Sequence, residues 1–238
     1  VLFWPGHRAD AQSSDEALAT GNGHGFQLFS ASKNTITDFL ERPYRYVKAD
    51  PANPDGEGIL RRNLVYDTYF GIRSNGQSSW LGQRTPSEFS YVNESNIIRS
   101  RVDIDSLQTE TFFMAPYAYE GNGLVMILKI TNQSSQSKSV NVFSLANYHL
   151  GTATNPLSPG TDNESIHFDS EHSAFTETGP GGGTMVYIPV GSVEKVSCAR
   201  NAWQEVNNGQ ELSVQEDCQG NDRVAIFQHA AQSIHAGE

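Results

Sequence analysis

The sequence predicts an all-β protein, a large antiparallel two-sheet sandwich with few short helices. Two observations carry this. Short stretches of alternating or β-branched apolar residues recur along the chain, roughly fifteen of them. They are separated by clusters of Gly, Asn, Asp and Ser, residues that set turns, and helical periodicity is scarce. Strands this short and this evenly spaced argue for a sandwich over alternating βαβ units.

Taken in order, SSDEALAT (13–20) has the makings of two helical turns, with Ser14 as cap and Gly21 as stop. GFQLFSA (25–31) and NTITDFLE (34–41) pair as strands. LVYDTYFGIR (64–73) and QSSWLG (77–82) are divided by the turn SNG. NIIRSRVDID (96–105) and LQTETFFMAP (107–116) meet at Ser106. LVMILKITN (124–132), the polar QSSQSK and SVNVFSLANYHL (139–150) predict a hairpin. ESIHFD, SAFTET, TMVYIPV, SVEKVSCA, ELSVQE and RVAIFQH continue the pattern, and QHAAQSIHAG (228–237) predicts a second short helix. DPANPDGEG (50–58) and TGPGGG (178–183) are loops. No repeat or composition break divides the chain. It is read as an N-terminal extension over 1–20 and one sandwich domain over 21–238.

One strand sets a condition on the fold. Val65, Asp67, Tyr69 and Gly71 alternate with Tyr66, Thr68, Phe70 and Ile72, and neither set is polar. A solvent-facing strand surface should be polar, so both sides of this strand must be covered.

The chain has 238 residues and a net charge of −11, with 27 acidic against 16 basic residues. No basic stripe is present, which excludes phosphate-backbone binding and nucleic acid as a partner. No apolar run approaches the ~18 residues of a membrane helix. The chain begins at Val1, which predicts a processed or excerpted sequence. Ala9-Asp10-Ala11 has the small-x-small form of a signal-peptidase site, but VLFWPGHR before it is short and polar for an export signal.

Cys198 and Cys218 flank a hydrophilic segment. They read either as two buried thiols or as one disulfide, the latter worth roughly 3 kcal/mol and favouring a periplasmic or secreted location. No CxxC or histidine cluster accompanies them, so neither metal nor cofactor is expected. The Pro/Gly loop 50–58 places Pro51 where a calcium loop needs an oxygen ligand. GNGHG (21–25) precedes a strand, not the helix a phosphate loop requires. Three N-x-S sequons, at Asn93, Asn132 and Asn163, predict exposed loops.

Glycoside chemistry needs paired acids across a cleft. Asp103 and Asp105 lie on one strand near a turn, and Glu41, Asp67, Glu88 and Glu110 are scattered. No G-x-S-x-G elbow occurs. His149, in NYHLG, sits at a strand end and reads as a structural histidine before it reads as a base.

The succession GNGHGF, TITDFLERPYRY, LVYDTYFGIR, WLG, FMAPYAYEGNGLVMILKITN and FSLANYHLG, over residues 20–150, resembles the N-terminal β-supersandwich of bacterial glucoamylases and related glycoside phosphorylases. After residue 150 the resemblance fades. It implies a galactose-mutarotase-like sandwich and, as partner, a C-terminal (α/α)6 catalytic domain or an oligo- or polysaccharide. Such a barrel needs about a dozen amphipathic helices, so the resemblance implies that the catalytic acids lie outside these residues. ITDFLERPYRY then reads as a strand leaving its sheet at Pro43, where Glu41, Arg42 and Arg45 satisfy one another.

The function expected is that of a non-catalytic domain. The candidates for carbohydrate contact or a domain interface are Tyr44, Tyr46, Tyr66, Trp80, Tyr91 and Trp203. One alternative is a free-standing carbohydrate-binding module. Another is a mutarotase-type epimerase, with His149 and either Glu88 or Glu110 as its base and acid.

Overall fold

The computed structural model describes residues 17–41, 63–150, 163–180, 183–221 and 223–238. Its architecture is all-β, as the sequence predicts. The widest sheet has six strands: five in the order β14 (Val193–Ser197), β16 (Ala225–His229), β10 (Lys138–Tyr148), β4 (Val65–Ser74) and β5 (Gln77–Trp80), and β17 (Gln232–Ile234), which pairs with β10 beyond β16. Three narrower sheets surround it. One runs β1 (Ala17–Gly21), β2 (Gly25–Ser30), β3 (Thr35–Glu41). Another runs β6 (Glu88–Tyr91), β7 (Ile98–Ile104), β8 (Leu107–Met114), β9 (Val125–Asn132). The last runs β13 (Thr184–Tyr187), β12 (Ala174–Thr178), β11 (Glu164–Asp169), β15 (Asp217–Gly220). The simple two-sheet expectation therefore becomes one wide sheet opposed by several narrower ones.

Register fixes which side chains share a face. Thr68, Phe70 and Ile72 of β4 stand beside Ala146, Ser144 and Val142 of β10, and these beside Ala225 and Phe227 of β16. This face meets the outer sheets. Phe70, Ile72 and Val140 pack with Val102 and Leu107 of the β6–β9 sheet, while Ala225 and Phe227 pack with Ile166 and Phe175 of the β11–β15 sheet. Phe29, Ile36 and Phe39 of the β1–β3 sheet close the end around Val65 and Tyr148.

The other face of the wide sheet carries Tyr69, Phe143, Leu145 and Ile226, with Trp80 opposite Gly71. It is covered by Ala199, Ala202, Val206 and Leu212, from a segment containing α1 (Ala202–Asn207), the one α-helix among the described residues. The requirement that both sides of β4 be covered is thus met within the chain over Thr68–Ile72. A disulfide joins Cys198 to Cys218 at a sequence separation of 20 and closes this covering segment.

Four local expectations are corrected. The helix over 13–20 is strand β1 from Ala17, paired residue for residue with β2 and further held by the Tyr91 hydroxyl at Ala19. The helix over 228–237 is the end of β16 followed by β17, which pairs with Lys138–Val140. In both, strand pairing outweighs a weak helical propensity. The 124–150 hairpin does not form, because β9 pairs with β8 whereas β10 pairs with β4 and β16. The connector carries the chain between layers, and buried Asn132 fixes it by donating to the Gln136 and Ile234 carbonyls. The sequon at Asn132 is therefore no exposed site, while Asn93 and Asn163 are exposed.

Candidate functional site

The covered face of the wide sheet ends in a cleft of about 610 Å³. Its floor comes from β4 and β10, where Asp67 lies directly opposite Asn147. These two polar residues interrupt a face that is otherwise Tyr69, Phe143 and Leu145. Arg200, Trp203 and Gln204 form the opposite wall, and Tyr66 and Gln83 stand at the edge.

The aromatic wall is built from the sheet upward. Gly71 leaves room for Trp80, since a Cβ on Gly71 would lie 2.5 Å from Trp80 Cε3. Trp80 packs on Tyr69 and Phe143, with centroids 5.6 and 6.1 Å away. Trp203 then stacks on Trp80 at 6.3 Å with an interplanar angle of 8°. Its indole Nε1–H donates to the Tyr69 hydroxyl at 2.9 Å, and that hydroxyl is also hydrogen-bonded to Asp67. Burial, with the Asp67 charge second, pushes the Tyr69 phenol far above its usual range, so it stays protonated. Ring and hydroxyl positions along Trp203–Tyr69–Asp67 are thus fixed before any ligand arrives.

A second polar cluster lies at the end of β10. His149 is buried, edge-on to Tyr66 at 5.4 Å, with Nδ1 3.6 Å from Glu164 Oε1. Glu164 accepts a hydrogen bond from the Leu150 N–H at 3.0 Å. Nearby, the Tyr187 hydroxyl donates to buried Glu177. Burial and then Glu177 push the Tyr187 phenol upward, and burial does the same for Tyr148. These groups sit inside the domain and tie β10 to β11, β12 and β13.

The structure places the sequence-derived candidates as follows. His149 has Glu164 as its nearest carboxylate. Glu88 is ion-paired with Arg99, and Glu110 with Lys129 at 3.0 Å and Arg99 at 3.8 Å, all in the β6–β9 sheet. Trp80 is 1% exposed and supports the cleft wall without reaching solvent. Tyr66 and Trp203 line the cleft. Tyr91 is half exposed, with its hydroxyl on the Ala19 backbone. Tyr44 and Tyr46 lie outside the described residues. Asn147, Tyr69, Arg200, Gln83 and Gln204 were not singled out by sequence. A polar pair at matching positions of two apolar strands was the available signal. Among the described residues no group of three or more His, Cys, Asp or Glu side chains is placed to hold a metal ion, and no helix is long and apolar enough to cross a membrane.

No protein-family model matches the sequence, and no curated protein matches it. Among solved structures the fold is similar to that of a bacterial glucoamylase complexed with acarbose. The TM-score is 0.54 at 7% identity, over 92% of this chain and 32% of the glucoamylase chain. At that identity the likeness is one of fold. The chain corresponds to about a third of the glucoamylase's length.

Proposed function

We propose that this chain is a non-catalytic β-supersandwich domain of a carbohydrate-active enzyme, of glucoamylase or glycoside-phosphorylase type, which stabilises or orients a separate (α/α)6 catalytic domain. The observation that carries this reading is the fold likeness, which takes in nearly all of this chain but only a third of a glucoamylase. The cleft's chemistry agrees with a non-catalytic role. Glycoside hydrolysis takes two carboxylates about 5–9.5 Å apart across the scissile bond, and among the described residues Asp67 is the one acid lining the cleft.

The test is direct. The purified chain, given maltose, starch or cellobiose with and without phosphate, is expected to release neither glucose nor glucose phosphate. Added to a helical catalytic domain encoded beside it, it should raise that domain's unfolding temperature. Turnover that follows the chain through purification overturns the reading.

A second reading, a free-standing carbohydrate-binding module, is favoured by the pinned Trp203 ring and its polar surround. Sugar binding without any effect on a partner domain would separate it from the first. The epimerase reading asks for a base and an acid that reach a bound sugar. Since His149 is 3% exposed, fresh glucose is expected to mutarotate at the uncatalysed rate in a polarimeter.

A further inference from the structure

We infer that the cleft over β4 and β10 is a binding site for an uncharged pyranoside, stacked on Trp203 and hydrogen-bonded by Asp67, Asn147 and Arg200. The inference rests on the reading of the chain as a carbohydrate-associated domain and assigns it a ligand site.

Size comes first. The cleft's 610 Å³ falls inside the range of about 300–1,000 Å³ typical of small-molecule sites. A pyranose has an apolar C–H face and a rim of hydroxyls, so its site needs a flat ring and a mixed set of donors and acceptors. Trp203 supplies the ring. Trp80 covers one side of it, Tyr69 holds its Nε1, and the partly buried remainder lines the cleft. A ring held in this way loses no rotamer freedom on binding, which is the usual cost of recruiting a side chain.

The polar set has both signs of hydrogen-bonding capacity. Asp67 accepts, Arg200 donates, and Asn147 and Gln83 do both. Asn147 adds an independent pointer. It is 5% exposed, lines the cleft, and its Oδ1 has no hydrogen-bond donor. A buried acceptor left in this state is costly. The terminal amide torsion is broad, so a modest turn of Asn147 offers Oδ1 to a ligand O–H. Among the described residues the cleft is lined by one carboxylate and one guanidinium, whose charges cancel. An anionic sugar would meet Asp67 in a chain that already carries a net charge of −11.

The full chain is titrated with maltotriose and with cellotriose, following tryptophan fluorescence and heat. Saturable binding of one molecule of either sugar per chain is expected. Gln83→Ala and Tyr66→Ala alter partly exposed residues at the cleft edge, and each should weaken binding several-fold with unchanged near-ultraviolet dichroism. Trp203→Ala should weaken it at least about tenfold. Tyr91→Phe, outside the cleft, should leave it unaltered. Trigalacturonate, an anionic trimer, should not compete.

The inference is overturned if the folded chain binds neither neutral trimer, if the edge variants bind as the parent does, or if trigalacturonate binds equally well. Absence of sugar binding in a chain that still stabilises a helical catalytic domain removes this assignment and keeps the proposed function. Sugar turnover removes the proposed function and leaves the cleft to be judged by the variants.

Discussion

Reducing Cys198–Cys218, or replacing both cysteines with alanine, removes a single link that closes the segment covering the cleft face. The separation of 20 residues sets the magnitude. On the loop-closure account, freeing a loop of that length in the unfolded chain costs about 3 kcal/mol of stability. The alanine pair also empties volume in the cluster of Ile166, Phe175, Val196 and Phe227, where Cys198 is fully buried. It should therefore cost somewhat more than reduction alone. For a domain of this size each kcal/mol moves the midpoint by about 2–4 °C, so reduction should lower it by about 6–12 °C. Thermal unfolding with and without reductant, with the thiol state checked by alkylation and mass, measures this. Tryptophan fluorescence, to which the stacked Trp80 and Trp203 contribute, reports whether the covering segment loosens first. A fully reduced chain with an unchanged midpoint would refute the reasoning. It would mean that Ala199, Ala202, Val206 and Leu212 hold the segment by burial alone.

Three further outcomes follow from particular residues. Gly71→Ala puts a Cβ into the Trp80 ring, which Tyr69, Phe143 and Trp203 hold on its other sides. Overpacking of about 1–3 kcal/mol should exceed the gain of up to ~1 kcal/mol from removing a strand glycine, and a variant more stable in urea than the parent disproves the packing. Burial lowers the pKa of His229 from its ordinary 6.5, so the unfolded chain binds the proton more readily and stability falls as pH drops below about 6.5. His229→Gln should flatten that limb, and superimposable pH profiles would contradict this. The phenols of Tyr69, Tyr148 and Tyr187 are all pushed above 10 by burial, so stability should be lost as pH rises past that value. In an alkaline absorbance titration these three should ionise only as the chain unfolds, and ionisation in the native state would show the rings to be open to solvent.

The β architecture was legible because period-two patterning and turn residues are local signals, and, with β1–β2 as an exception, most pairs of strands joined by a short turn within one sheet read correctly. β2–β3, β4–β5 and β7–β8 are such pairs. The misreadings after β1 occur where pairing is distant. β9 and β10 are adjacent in sequence, but Val140 finds its partners in Ser74 and Gln232. Helix α1 was hidden for the same reason. ARNAWQEVNN offers Asn201 as cap but is only about two turns long, the Asn201 side chain makes no cap hydrogen bond, and Ala202 and Val206 become a helical face because the Tyr69–Leu145 surface lies beneath them.

The cleft was half legible. Apolar residues on both faces of β4 demanded two covers, and the second cover is the disulfide-closed segment 199–217. That segment sits more than a hundred residues from β4, and its tie depends on a covalent bond the sequence left open. What the alternation could have revealed is the flaw in the pattern. Asp67 and Asn147 each stand where an apolar residue would have completed a dry face, and register sets them side by side. A polar pair on two central strands, Asn147 buried and Asp67 half-buried, carries a desolvation cost that a purely structural sheet avoids. The Asp67–Tyr69–Trp203 chain offsets part of that cost by hydrogen bonding. The Asn147 Oδ1, which no protein donor satisfies, leaves the remainder to a ligand.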